Sequence, residues 1–572
     1  MNDARAGLQR DTPWRDMLWI VAAAAVVFGA GIGLRNPWPA DEPVYALIAR
    51  DMLAHGQWLI PMAGGDYFQD KPPLLFWLIA ASDWLTGSLK AGFLLPSLLA
   101  GVGCLLLVYD LARRLWTREV GLVAAFALLT IVQFALQSRR AQMDALLMFF
   151  TLLSLYCLCR QLLLGGGWRW ALAAGAAAGF GVLAKMVGFL SFFVLLPWLF
   201  AVWRGWPGVR WQRPWLFWAG AAASCAAVVA IWLVPLLLAA ERDPAIAQYA
   251  HEVLIEQTLG RYASPWHHYH AWHYYLTLFI PLWMPLTLLL PWLVPGWLRA
   301  LRARDARVLL LLGWTVLYVA FFSLSSGKRD VYILTAVPGF ALAAAPQLPG
   351  LLARRGVQRT LLGFLLVLAV ALAGAWVFLT VLKPERGARL LADGGLTSLV
   401  ALLVVAALAV VAAAVFRLRR AALAVGSFFA SVWIVLGLWV FPQMDGERSG
   451  ADFSARLESR ADPRRPLALV EYRENMLWNL RRATVNFGHR RFREGEQEVF
   501  DAAAWLQQDT SRQLLVSATS LARCFAAADV REPMGEAGGI EWWLVSGRPA
   551  PDCASRGDAG KAILYGPEIP LK

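Results

Sequence analysis

The sequence predicts a mainly α-helical, polytopic membrane protein with a small α/β domain at its C-terminal end. Three observations predict it. Of the 572 residues, 59% are hydrophobic and only 16% are charged, which is far less charge than a soluble chain of this length carries. Apolar runs long enough for a hydrocarbon core of ~30 Å recur between residues 17 and 441. Many of the 29 tryptophans, among them Trp14, Trp19, Trp38, Trp168, Trp170, Trp211 and Trp215, stand at the ends of those runs. Interfacial belts form there, although some of these rings belong to the core instead.

The first apolar run, 17–34, follows Arg5, Arg10 and Arg15 and lacks a convincing small-x-small cleavage site. It reads as a retained signal-anchor helix. Further spans are expected at 92–112, 119–136, 144–163, 168–184, 188–203, 214–239, 273–298, 307–325, 330–348, 359–381, 396–416 and 421–441, about 13 in all. The segment 72–87 is apolar but carries Asp83 and follows Lys71. Counted as a span, it would reverse every later loop. Read as an interfacial helix, it leaves Arg5/Arg10/Arg15, Arg113/Arg114/Arg118, Arg169, Arg204/Arg210/Arg213, Arg299/Arg302/Arg304/Arg307, Arg354/Arg355/Arg359 and Arg417/Arg419/Arg420 on one side. The positive-inside rule makes that side cytoplasmic, with a cytoplasmic N-terminus and a periplasmic tail.

The expected organisation is a transmembrane domain over 1–441, with large periplasmic loops at 35–91 and 240–272, and a periplasmic α/β domain over 442–572. Strand-like runs at 467–470, 514–517, 542–545 and 562–565 and a helical stretch at 498–507 mark that domain. Cys104, Cys157, Cys159 and Cys225 lie in apolar runs and read as inert. Cys524 and Cys553 lie in the tail, where they either pair or remain free thiols.

Net charge is +14, which the positive-inside rule explains without a nucleic-acid partner. The lysines say more. There are seven, Lys71, Lys90, Lys185, Lys328, Lys383, Lys561 and Lys572, and all fall on the expected periplasmic side. Compositional drift towards arginine is the bland explanation. The alternative is that they stand where a phosphate-rich substrate needs point charges.

Asp41 and Glu42 precede a predicted amphipathic surface helix with Val44, Leu47, Ile48 and Met52 on one face. Asp41 is either its N-cap or an active-site carboxylate at headgroup depth. Lys71, in the run Tyr67-Phe68-Gln69-Asp70-Lys71, either snorkels to lipid phosphates or binds the phosphate of a carrier lipid. Asp144 stands at a span entrance, where an acid is costly unless paired or functional, and Arg139 or Arg140 is its expected partner. Lys328, Arg329 and Tyr332 crowd a short turn. His267, His268, His270 and His273 invite a zinc hypothesis, an aromatic-histidine belt being the alternative.

These residues carry a resemblance. Asp41-Glu42 before Pro43-Val44-Tyr45, Lys71-Pro72-Pro73, Arg140-Ala141-Gln142-Met143-Asp144, Leu183-Ala184-Lys185 and Lys328-Arg329-Asp330-Val331-Tyr332-Ile333-Leu334 resemble motifs of the GT-C superfamily of lipid-carrier-dependent glycosyltransferases. The resemblance covers about residues 15–345 and is to the protein mannosyltransferase-related branch, in particular the aminoarabinose transferases of lipid A. It departs from the family pattern at Met186, where a glycine is usual, and at Thr335, where a proline is usual.

The resemblance implies a GT-C fold in the Gram-negative inner membrane and an inverting pentosyltransferase. Its donor would be undecaprenyl-phosphate-linked 4-amino-4-deoxy-L-arabinose, its acceptor a phosphate of lipid A, its product a basis of polymyxin resistance. It implies Asp41, Glu42 and Asp144 as catalytic carboxylates. Lys71, Lys185, Lys328, Arg329 and Tyr332 would hold the carrier phosphate, with Tyr45, Tyr67, Asp70, Arg139 and Arg140 nearby and no required cofactor. Rival expectations are another GT-C enzyme, such as a protein O-mannosyltransferase or a transferase of a different sugar to lipopolysaccharide, a polysaccharide polymerase or ligase, or a lipid-linked saccharide transporter. The last ranks low, because the ionisable residues gather at one face and no internal repeat is evident.

Overall fold

The computed structural model describes residues 13–209, 215–260, 269–489 and 491–566. A multi-pass helical membrane domain makes up most of the chain, and helices stand at all thirteen expected positions. By length and composition, seven helices among the described residues can cross a membrane, or eight if the pair Tyr274–Leu282 and Leu286–Arg302, bent by 101°, is one span. The expectation of thirteen full-length spans therefore does not carry over to helix length. Gly188–Trp203 and Val400–Phe416 are shorter apolar helices, and α1 (Pro13–Gly29) is 17 residues long.

Two helices lie between the first and second long spans: α2 (Glu42–His55) and α3 (Leu74–Thr86). At 1.5 Å per residue, the 13 residues of α3 reach ~20 Å, too short for the bilayer core. This matches its reading as a non-spanning helix. α2 differs from expectation. It is buried on nearly every side, from Glu42 to Ala49 and again at Asp51 and Met52. Val44, Ile48 and Met52 share an apolar cluster with Phe76 and Ile79 of α3. Leu47 points elsewhere, into a cluster with Phe453, Trp542 and Tyr565 of the C-terminal domain. The amphipathic face was therefore only half of the buried surface.

Between α2 and α3 runs a hairpin of β1 (Met62–Ala63) and β2 (Asp66–Tyr67). The C-terminal domain grips it. Asn486 Nδ2 donates to Gly64 O at 2.8 Å, and the backbone N–H of His489 donates to Asp66 at 2.9 Å. Gly64 sits at φ +65°, and a Cβ there would come within 2.8 Å of the Tyr472 hydroxyl.

The C-terminal domain contains a six-stranded mixed sheet of order β6-β7-β5-β3-β4-β8. Its strands are β3 (Leu467–Leu469), β4 (Thr484–Asn486), β5 (Gln513–Ser517), β6 (Val530–Ala537), β7 (Ile540–Ser546) and β8 (Ile563–Tyr565). β3 runs parallel to β4 and β5, and the other pairings are antiparallel. Four strands and the helix Gln497–Gln508 fall where the apolar runs placed them. β4 and β6 were not anticipated. β4 is only three residues long, and β6 is a mostly exposed edge strand broken by an irregularity between Pro533 and Gly535. Cys524 and Cys553 form a disulfide.

Candidate active site

Asp41 occupies the N-cap position of α2, yet its side chain makes no capping hydrogen bond. Its Oδ2 instead accepts from Gln142 Nε2 at 3.0 Å and from Arg329 Nη2 at 3.3 Å. Of the two roles open to it, capping is therefore excluded. Partial burial pushes the carboxyl up, but the cations Arg329, Lys71 and Lys185 outweigh burial and hold it below the usual carboxylate range. Asp41 is thus an anion at neutral pH. The reciprocal effect raises Arg329 further, burial being outweighed by Asp41 and Asp144.

Glu42 is engaged differently. Arg35 clamps it with two guanidinium N–H groups at 2.5 and 2.8 Å, and the backbone N–H groups of Trp38 and Ala141 donate to it at 2.8 and 3.1 Å. Both oxygens are occupied in a buried pair. The geometry makes Glu42 a positioning residue that ties the Arg35–Trp38 segment and the loop at Ala141 to the start of α2. A few residues away, Asp445 accepts from Asn36 N, Asn36 Nδ2 and Trp38 Nε1 at 2.8 to 2.9 Å.

Asp144 and Lys185 come from neighbouring helices. Asp144 lies in the first turn of Met143–Leu164, and Lys185 ends Trp168–Lys185. Each charge complements its own helix dipole. Lys185 Nζ donates to Asp144 Oδ1 at 2.5 Å and sits 4.6 Å from the centre of the Tyr332 ring. The acid's partner is thus Lys185, not Arg139 or Arg140. Met186, where a glycine was expected, still adopts the left-handed conformation at φ 59° that ends the helix.

Arg139 is turned inward. It donates to the backbone carbonyls of Val27 and Ala30. Its guanidinium lies against Trp433 and Phe441. It fills the close approach of Gly31 and Gly437, where a Cβ on either would strike the other segment's backbone. Arg140 is half-buried, and its guanidinium has no hydrogen bond or ion pair among the described residues.

The turn carrying Lys328 and Arg329 is held from several sides. Lys328 is 2% exposed, and its ammonium donates to the carbonyls of His270, at 2.9 Å, and Ser325. Burial pushes its pKa down. Expected as a ligand of the carrier phosphate, Lys328 here braces backbone oxygens, closing the turn onto the strand-like pairing of Tyr269 with Gly327. Tyr275 donates to Arg329 O at 3.1 Å and Gln133 to Asp330 O at 2.8 Å, so the backbone that aims Arg329 is fixed.

Tyr45 belongs to the apolar cluster, packed on Phe68 and Phe76. Tyr67 packs against Tyr249 at 6.0 Å between ring centres. Asp70 and Lys71 lie in the turn between β2 and α3, both partly buried and both with partners in the structure. His270 stacks on Tyr274, and His273 stands at the N-cap of the helix Tyr274–Leu282. Among the described residues, no group of three or more His, Cys, Asp or Glu side chains is arranged to hold a metal. His267 and His268 lie outside the described residues.

Five separate stretches of chain thus converge: Asp41, Lys71, Gln142 with Asp144, Lys185, and Arg329 with Tyr332. Gln142 was missed as a site residue because an amide leaves no charge pattern, although it stands two residues before Asp144. Arg35 and Asp445 were missed because their partners are distant in sequence. The assembled site sets two carboxylates, Asp41 and Asp144, among the cations Lys71, Lys185 and Arg329, the electrostatics expected where a phosphorylated substrate is bound and charge develops.

The geometry can be set beside known proteins. Residues 70–233 match the family described as "Dolichyl-phosphate-mannose-protein mannosyltransferase". The chain is 34% identical over 365 residues to the undecaprenyl phosphate-alpha-4-amino-4-deoxy-L-arabinose arabinosyl transferase of Pseudomonas aeruginosa (strain UCBPP-PA14), covering 61% of this chain and 62% of that one. A namesake from Pseudomonas fluorescens (strain Pf-5) is 32% identical over 385 residues, covering 64% and 66%. The match thus spans about three fifths of the length of these curated relatives. The crystal structure of ArnT from Cupriavidus metallidurans bound to undecaprenyl phosphate superposes with a TM-score of 0.74 at 22% identity, over 93% of this chain and 98% of that one. Its apo state gives 0.72 at 21% identity, over 96% and 99%. The chain therefore has the GT-C fold of those structures.

Proposed function

We propose that the protein is an inverting glycosyltransferase of the periplasmic face of the Gram-negative inner membrane. It moves 4-amino-4-deoxy-L-arabinose from undecaprenyl phosphate to a phosphate of lipid A. The observation that carries this reading is Asp41, an ionised carboxylate held by Arg329 and Gln142 within a ring of cations. The similarity to arabinosyl transferases named for that donor supports it.

The donor's tail lies in the bilayer and its phosphate enters the site. Lys71 and Arg329 bind that phosphate, and Arg140, half-buried and with no side-chain hydrogen bond or ion pair among the described residues, serves either phosphate. The acceptor phosphate oxygen attacks the anomeric carbon from the opposite side. The bond from that carbon to the carrier phosphate breaks, the electron pair leaves with undecaprenyl phosphate, and the anomeric configuration inverts. Cations already in place stabilise the departing phosphate without reorganisation. The Lys185–Asp144 pair and the Tyr332 ring form the adjoining wall.

Asp41 helps separate this reading from transfer to a hydroxyl. A general base works best with a pKa near the working pH, whereas Asp41 is held below the ordinary range. Such a carboxylate is a weak base but a firm electrostatic anchor. An acceptor phosphate is already ionised and gives up no proton, so an anchor suffices. Asp41 then orients the acceptor or the cationic sugar. No cofactor enters the scheme.

The test is a transfer assay with purified protein, undecaprenyl-phosphate-aminoarabinose and lipid A, read by mass spectrometry. The expected product is lipid A carrying one added aminopentose, lost in Lys71→Ala. Transfer to a hydroxyl-bearing acceptor instead, or an unaffected Lys71→Ala enzyme, would overturn the reading.

A further inference from the structure

Behind the start of α2 lies a cavity of about 630 Å³ between the membrane domain and the C-terminal domain. One wall is apolar and comes from the first loop: Pro39, Ala40, Pro43 and Val44. The opposite wall carries three carboxylates, Glu471, Glu474 and Glu498. Asp41 directly follows Ala40, so the cavity adjoins the site described above without containing its cations.

Glu498 stands out among the three. It is 4% exposed, it lines the cavity, and only one of its oxygens is bonded, accepting the Glu471 backbone N–H at 2.7 Å. The second oxygen has no hydrogen-bond partner among the described residues. Burial, reinforced by the nearby Glu471 charge, pushes its pKa up to about 7. Arg491 is the cation that acts against this rise, but it is itself bonded to Glu494 and Asp501, and Glu498 has no ion pair of its own among the described residues.

Glu471 is prepared for the same task. Its backbone sits at φ 54°, and the hydroxyls of Ser517 and Ser520 each donate to its Oε2 at 2.8 Å, fixing its direction. Two arginines also line the cavity. Arg491 is committed to Glu494 and Asp501, while Arg473 is exposed at the rim. Glu474 stands 3.1 Å from His489 Nδ1, which leaves Glu471 and Glu498 as the inward-facing acids without an ion pair among the described residues. Metal is the poorer occupant, since the carboxylates form no group arranged to hold one.

We propose that this cavity binds the ammonium group of an amino sugar, with Glu498 as its counter-ion and Glu471 as a second acceptor. An ammonium offers three N–H donors to carboxylate oxygens. The apolar wall of Pro39, Pro43 and Val44 suits the C–H face of the sugar ring. The proposal rests on the transferase reading and deepens it. It assigns discrimination between aminated and plain pentoses to the C-terminal domain, away from the phosphate-binding cations.

The test uses the full chain in nanodiscs and titrates it calorimetrically with methyl 4-amino-4-deoxy-L-arabinoside and with methyl L-arabinoside. The aminated sugar should bind at least ~10-fold more tightly, the scale of one charge-assisted hydrogen bond. Glu498→Gln keeps an acceptor for the Glu471 N–H and should abolish that preference. Glu471→Gln, a change at an exposed residue, should weaken it several-fold, and it carries the test if Glu498→Gln does not fold. Equal binding of both sugars by the unaltered protein, or an undiminished preference in both variants, overturns the proposal. A parallel transfer assay separates the two readings. Amine-selective binding without transfer to lipid A would leave the cavity standing and remove the transferase reading. Transfer that keeps its full preference for aminated donor in both variants would do the reverse.

Discussion

Arg329 Nη2 stands 3.3 Å from Asp41 Oδ2 across 288 positions of sequence, joining the short turn after a late span to the start of the first loop's helix. Because the same carboxylate makes no cap for α2, its removal separates catalysis from folding. Asp41→Asn should lower kcat by ~100-fold or more, on the scale of losing a preorganised charged group. Its melting temperature should stay within a degree or two of the unaltered protein. Because asparagine caps a helix as well as aspartate does, full activity in Asp41→Asn would refute the catalytic role.

Lys328 and Lys71 should behave in opposite ways. Lys328 holds two backbone carbonyls from a buried position. Lys328→Met therefore leaves acceptors unsatisfied and should cost roughly 1–3 kcal/mol of stability. Lys71→Ala removes a partly buried cation that has partners of its own, and it should cost less stability than Lys328→Met while abolishing transfer. Thermal unfolding beside a transfer assay reads both. Equal stability losses would contradict the division of labour.

The Lys185–Asp144 pair is partly buried, its acid more deeply than its base, and removing one partner strands the other charge. Lys185→Met alone should cost roughly 1–3 kcal/mol. The double variant Lys185→Met with Asp144→Leu should recover much of that loss. A double-mutant cycle in stability checks this, and additive losses would mean the two groups are not coupled.

Docking of the C-terminal domain should weaken as pH rises. Asp51 on α2 accepts the Tyr565 hydroxyl of β8 at 2.8 Å, and burial raises its pKa to about 6. The folded state holds the neutral acid better than the unfolded state does. This contribution is complete below about pH 4 and is lost between about pH 4 and 6, amounting to roughly 3 kcal/mol at most. Glu498, raised to about 7, extends the same trend upward. Asp51→Asn should flatten the slope and raise the melting temperature at pH 7.5. A melting temperature that climbs from pH 5 to 7.5 would refute the assignment.

The disulfide between Cys524 and Cys553 closes a loop with a sequence separation of 29. Loop entropy assigns it roughly 3–4 kcal/mol. Reduction or a Cys524→Ser/Cys553→Ser variant should lower the unfolding temperature of the C-terminal domain, measured by protease resistance, while leaving the membrane helices intact.

Much of this protein was legible in its residues because the governing physics is local and one-dimensional. Apolar length located the helices, including α3 as a short one of 13 residues. The clustering of Asp41, Lys71, Asp144, Lys185 and Arg329 was legible as residue types at loop mouths. Gln142, Arg35 and Asp445 were not, since a polar group reveals its partner only when two distant stretches meet.

What the sequence alone determined is the class of the molecule: a multi-pass helical chain with a small α/β domain, and the loops that hold its chemistry. Hydrophobic length and charge sidedness are properties of short segments and survive without a fold. Tertiary structure alone decided which acid pairs with which base, that Lys328 serves the backbone, and that α2 is buried between two domains. Those outcomes depend on distances between residues hundreds of positions apart, where burial and a few ångströms set whether a charge faces the site or braces the backbone.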